Sequence, residues 1–160
     1  MAVQPSVVEV LARAESAPVT PELMAAVEAI DLAGLSEDQR IGVSVFWHRA
    51  TGYCEAKRAL AVSAAVAAAP QTTQVPRELA AAGQLGPALG LGSGGVDALI
   101  AESGQFAGHL PATAAMALAG DLPWRKVASI ASYTVGMSAD NIARVEAKVL
   151  PKAWGFPGRA

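Results

Sequence analysis

The sequence predicts an all-α protein, about seven helices organised around one long helix at roughly 37–69, with no sheet. Three observations carry that prediction. Alanine supplies 36 of the 160 residues and aromatics only 5%, a composition that favours helix over strand. Helix start and stop residues recur along the whole chain. No stretch of useful length alternates apolar and polar residues with the period of a strand.

The elements follow in order. "SVVEVLARAE" (6–15) reads as an amphipathic helix closed near Pro18. "TPELMAAVEAI" (20–30) has Thr20 as N-cap and Pro21 at the first helical position. "AGLS" (33–36) is a turn. Ser36 and Gln39 then form a capping box, and no proline follows until Pro70. Val43, Phe46, Ala50, Tyr53, Leu60 and Ala64 recur at helical spacing, which marks them as the inward stripe of a helix about 50 Å long. Phe46 and Leu60 are both expected to face the core.

"PQTTQVP" (70–76) reads as a linker. It is followed by a short helix and a glycine-rich loop, "LGLGSGG" (89–95). Helices are expected at 96–110, at 111–120 with Pro111 first and Gly120 last, at 123–136 ended by Gly136, and at 138–150 ended before Pro151.

Composition narrows the function classes. The chain is 52% hydrophobic and 16% charged, which excludes a disordered tail. Net charge is −2, which argues against a general nucleic-acid binder. The charge is unevenly spread, however. Residues 1–122 carry six Lys/Arg against twelve Asp/Glu, and residues 123–160 carry six against two. A basic end on an acidic body points to an anionic partner or to a continuation of the chain. Cys54 is the only cysteine, so an internal disulfide is excluded and a reducing, cytoplasmic setting is expected. No signal peptide is expected from the first twenty residues. The longest apolar run, 59–69, is too short and alanine-rich to span a bilayer.

Catalytic chemistry finds little to work with. His48 and His109 lie sixty-one residues apart on different predicted helices, and no Cys-x-x-Cys pair exists; a nuclease metal centre needs a clustered ligand set. Both histidines read as packed or surface residues, and Cys54 as a small core residue. "LGLGSGG" has neither the Gly-Lys-Ser/Thr ending nor the preceding strand of a phosphate loop. Neither a metal, a cofactor nor a small-molecule substrate is expected. Residues 77–109 have the order of a helix-turn-helix, but no Lys or Arg lies between Arg77 and Arg125, which leaves the second helix poorly equipped to grip phosphate.

"GDLPWRKV" (120–127) puts two cations at a helix start, where the dipole favours anions. A DNA phosphate would satisfy Arg125 and Lys126 together with Lys148, Lys152 and Arg159; Arg125, Lys126, Lys148 and Lys152 are the candidate nucleic-acid-binding residues. The plainer reading is an internal carboxylate, Asp121, Asp140 or Glu146, with the aliphatic stems on apolar surface. That reading expects Asp121 as a cap or near-cap, Trp124 substantially buried and Arg125 beside an acidic side chain.

The stretch "LPATAAMALAGDLPWRKVASIASYTVGMSADNIARVEAKVLPKA" (110–153) resembles the actinobacterial 13E12-repeat family, whose shared region is domain of unknown function 222. The features are Leu-Pro-Ala-Thr, an Ala-Gly-x-Leu step, a Trp-x-Lys helix start and a helix ending "VEAKVLPKA". "LAGLSEDQR", with a long helix carrying Trp47, Arg49 and Tyr53, extends the resemblance to roughly residues 28–155. Many members carry an HNH nuclease module C-terminal to this region. The resemblance implies the helical N-terminal part of such a protein, with N-terminal helices at 1–32, the family's helical domain at 33–155 and a tail at 156–160; the sequence departs from the family pattern in that no HNH module is expected in it. It implies a non-catalytic scaffold or DNA-associated module. A stand-alone DNA-binding regulator and a protein–protein interaction module, self-associating through the long helix, are the alternatives.

Overall fold

The computed structural model describes residues 6–153. They form eight α-helices and no strand, so the fold is all-α as the sequence predicts. The helices are α1 (Val7–Ser16), α2 (Pro21–Glu28), α3 (Glu37–Ala68), α4 (Arg77–Leu89), α5 (Ser93–His109), α6 (Pro111–Leu118), α7 (Trp124–Thr134) and α8 (Ala139–Ala153), with a 3-10 turn at Leu32–Gly34. Among the described residues no helix is long and apolar enough to cross a membrane.

The predicted starts are realised by their chemistry. Thr20 Oγ1 accepts the Leu23 N–H at 3.2 Å. Ser36 and Gln39 cap one another reciprocally, Gln39 N–H donating to Ser36 Oγ at 3.3 Å and Ser36 N–H to Gln39 Oε1 at 2.9 Å. Ser6 and Glu9 form a second capping box at the start of α1. At the end of α6, Gly120 takes φ +74°, and Asp121 N–H closes the turn on Met116 O at 2.9 Å, the left-handed terminator that glycine permits.

Two boundaries differ from expectation. The helix α8 runs through Pro151 to Ala153. A proline this close to a helix end removes only the bond to the carbonyl of Ala147, and that residue is exposed. The glycine-rich segment is mostly helix, because α5 begins at Ser93 and takes in Gly94 and Gly95, leaving Gly90–Gly92 as the turn.

α3 is the spine. Three apolar clusters lie along it. Val10, Leu11, Leu23 and Val27 of α1 and α2 close on Val43, Phe46 and Ala50. Phe106, Leu110, Leu122, Val127, Ile142 and Leu150 close on Ala56 and Ala59. Val96, Ile100 and Ala81 close on Val62. The inward stripe therefore corrects the expected one. Phe46 is fully buried and Leu60, half-buried, packs against the second cluster as expected, but Ala64 is exposed. Past Tyr53 the buried face passes to Ala56, Ala59 and Val62. The cause is close approach. Gly52, Ala56 and Ala59 are small enough for α5 and the segment before α7 to press on the α3 backbone; a Cβ on Gly52 would stand 3.1 Å from Leu122 O. The bulk filling this part of the core comes from Phe106 and Leu122 on the other side.

One charged side chain ties the spine to two helix ends. Arg49, only 4% exposed, donates to Ala14 O at 2.6 Å and Ala17 O at 2.8 Å at the end of α1. It also donates to Gly120 O at 3.3 Å and to the Asp121 carboxylate at 3.1 Å past the end of α6. Its fork satisfies carbonyls that a helix end leaves without partners. Glu146 does the converse. Buried on α8, it accepts both the N–H and the hydroxyl of Thr113 at 2.7 Å, capping the start of α6.

Candidate functional site

α7 and α8 each offer one face to the core. Val127, Ile130, Ala131 and Thr134 are buried from α7, and Ile142, Glu146, Leu150 and Ala153 from α8. The faces turned partly outward meet in a groove of about 660 Å³. Ile130, Val145 and Val149 contribute its apolar lining, with Tyr133 and Met137 at one side. Lys126, Lys148 and Lys152 rim it. Tyr133 is 78% exposed, Met137 42% and Val149 37%, so large apolar surface lies open between positive charges.

The structure thus brings together three of the four residues singled out in the sequence. Lys126 reaches across the end of the groove and donates Nζ–H to Ala153 O at 2.6 Å. Lys148 and Lys152 are exposed on α8, one turn apart, and Arg144 continues the same row toward the helix start. Arg125 is exposed on α7 but does not line the groove. Arg159 lies outside the described residues.

The internal carboxylate expected for Arg125 is not there. Among the described residues the ion pairs are Arg49–Asp121 at 3.1 Å and Arg58–Glu55 at 2.6 Å. Asp121 does not cap α7, whose N-cap is Pro123 without a side-chain bond; its carboxylate is turned to Arg49 instead. Glu146 is engaged by Thr113, and Asp140 is exposed. Trp124 is half-buried, its ring edge-on to Phe106 with centroids 5.3 Å apart.

Other candidates stay apart. His48 and His109 are exposed on α3 and α5, and among the described residues no three His, Cys, Asp or Glu side chains gather as a metal site. Cys54 is exposed rather than part of the core, beside Trp47 and Glu55 in a shallow pocket. α5 packs Val96, Ile100, Ser103 and Phe106 inward, and its outward face carries Asp97 and no cation. Where α3, α5 and α7 meet, burial pushes the Glu102 carboxyl above its ordinary range. A hydrogen bond from Trp124 and the charge of Arg58 oppose that rise, and Glu55 adds to it.

Sequence reasoning missed Arg49 and Glu146 as structural anchors, and it missed the apolar half of the groove. Lysines at helical spacing on one helix and one on its neighbour were visible; that Tyr133, Met137 and Val149 stand between them depends on how α7 and α8 pack. No family model, curated protein or solved structure matches the chain.

Proposed function

We propose that this chain is a non-catalytic helical module, similar to the helical region of 13E12-repeat, HNH endonuclease-like proteins, that works by association through the α7–α8 groove in a reducing cytoplasm. The groove carries this reading: an open apolar floor with an exposed aromatic and a methionine, edged by Lys126, Lys148 and Lys152. Exposed apolar patches ringed by polar groups mark interaction surfaces, and aromatic residues and methionine are enriched in protein interfaces. A phosphate backbone would draw on the lysines alone and leave the apolar floor unmatched. The overall charge of −2 adds no attraction for DNA.

DNA contact is the second reading, favoured by one observation: Arg144, Lys148 and Lys152 form a single exposed row on α8. Retardation of duplex DNA at low salt separates the two. The protein reading expects negligible retardation before and after Lys148→Glu with Lys152→Glu. Salt-dependent retardation that this pair abolishes, with the melting temperature unchanged, selects DNA. Incubation with plasmid and Mg²⁺, Mn²⁺ or Zn²⁺ tests the non-catalytic part. Metal-dependent cutting that survives repurification and disappears in a point variant would overturn it.

A further inference from the structure

We propose that the occupant of the α7–α8 groove is a second copy of this chain, which docks the outer edge of the first turns of α3; the inference rests on the association reading above. The chain carries on its own surface a segment that matches the groove in charge and in apolar character. Asp38, Ile41 and Val45 lie at i, i+3 and i+7 on α3, all exposed, Ile41 at 55% and Val45 at 39%. They face away from Val43, Phe46 and Ala50, which are buried in the protomer's own core. This spacing is that of a helix laying an apolar edge into a groove.

The charges match in sign. Glu28, Asp31, Glu37 and Asp38 are exposed around the start of α3, and none belongs to an ion pair among the described residues. The cation in that region, Arg40, is held by the carbonyls of Leu32 and Ala33 at 3.1 and 3.2 Å. Lys126, Lys148 and Lys152 likewise belong to no ion pair among the described residues. Docking places Ile41 and Val45 on the floor formed by Ile130, Val145 and Val149, with Glu37 and Asp38 against the lysine rim. The acidic body and basic end of the sequence are then the two halves of one contact. Because the patches differ, the contact is heterologous, and it either closes reciprocally between two protomers or continues to further copies.

Sedimentation velocity of the full chain over a range of concentrations tests this. At about 0.01 M salt, where charges act over about 30 Å, larger species should form; at about 1 M salt, where the range is about 3 Å, the monomer should return. Lys148→Glu with Lys152→Glu should yield monomer at every salt. Glu37→Lys with Asp38→Lys should do the same, and Ile41→Ser, which leaves the charges alone, should weaken the larger species. Far-UV circular dichroism checks that each variant is folded. Mixing the two charge-reversed proteins makes both contacts complementary again, so a mixed complex should appear although neither forms one alone. Wild-type protein that stays monomeric at low salt up to millimolar concentration overturns the inference. Association lost on reversing the lysines but kept on reversing Glu37 and Asp38 overturns the choice of occupant and leaves the groove reading standing. Association indifferent to both reversals overturns both.

Discussion

Replacing Arg49 by methionine keeps an unbranched stem of similar reach and removes the guanidinium alone. The structure supplies the magnitude. The bonds to Ala14 O and Ala17 O, 2.6 and 2.8 Å long, are charge-assisted and worth about 1.5–3 kcal/mol each. The bond to Gly120 O, at 3.3 Å, adds little. Asp121 loses the guanidinium, but its side chain is 16% exposed, so water recovers part of that charge. The expected loss is therefore about 3–5 kcal/mol, the range for breaking a buried pair from one side. For a chain of this size that lowers the melting temperature by about 6–20 °C. Urea unfolding followed by far-UV circular dichroism, extrapolated to water, measures it. Arg49→Lys should fall between, because one ammonium cannot serve both helix ends. A loss below about 1 kcal/mol, the value of an exposed pair, would refute the argument by showing that solvent replaces the fork.

Gly120→Ala should destabilise strongly, since its Cβ would stand 2.4 Å from Val19 Cγ2 at φ +74°; Gly136→Ala, at φ +77° with nothing within 4 Å, should cost only the backbone term of about 1–2 kcal/mol, and equal melting temperatures for the two would contradict the packing at Val19. Glu146→Ala leaves the Thr113 N–H and hydroxyl without their acceptor and should cost about 2–4 kcal/mol, with hydrogen exchange speeding first at the start of α6; uniform exchange along α6 would argue against the cap. Glu102 favours its neutral form in the fold, so its contribution is present below the ordinary carboxylate range near 4.5 and is lost as pH rises through the higher folded value. Glu102→Gln should accordingly raise the melting temperature at about pH 7 and bring no gain at about pH 4; a gain of the same size at both would show that ionisation is not the cause.

Much of the architecture was legible because helix starts are local chemistry. Ser36 with Gln39, and Thr20 with Pro21, need only neighbours three residues away or closer. The rotation of the α3 stripe was not legible. Hydrophobicity ranks Leu60 above Ala56, yet Ala56 is fully buried and Leu60 half-exposed, because backbone approach selects small residues rather than apolar ones. The groove was half legible. Lys148 and Lys152 share a face by spacing alone, while Lys126 joins them only through the packing of α7 on α8, and Arg125, its neighbour in sequence, points elsewhere. Asp121 looked like a cap because it precedes a proline-led helix; its true partner, Arg49, lies 72 residues back along the chain.

That separation bears on the order of events during synthesis. Arg49 is made 71 residues before Gly120, a delay of roughly 4–14 s at about 5–20 residues per second. Throughout it, α1, α2 and the first half of α3 can assemble their own apolar cluster around Phe46, while the guanidinium that will anchor them still awaits Gly120 O and the Asp121 carboxylate. The amino-terminal third can be collapsed early and finished late, its last polar contacts delivered by a turn that does not yet exist. A nascent chain paused before residue 119 would hold a native-like cluster whose arginine has yet to meet the α6 end, and release of the pause, not any rearrangement of α1 or α2, would lock it.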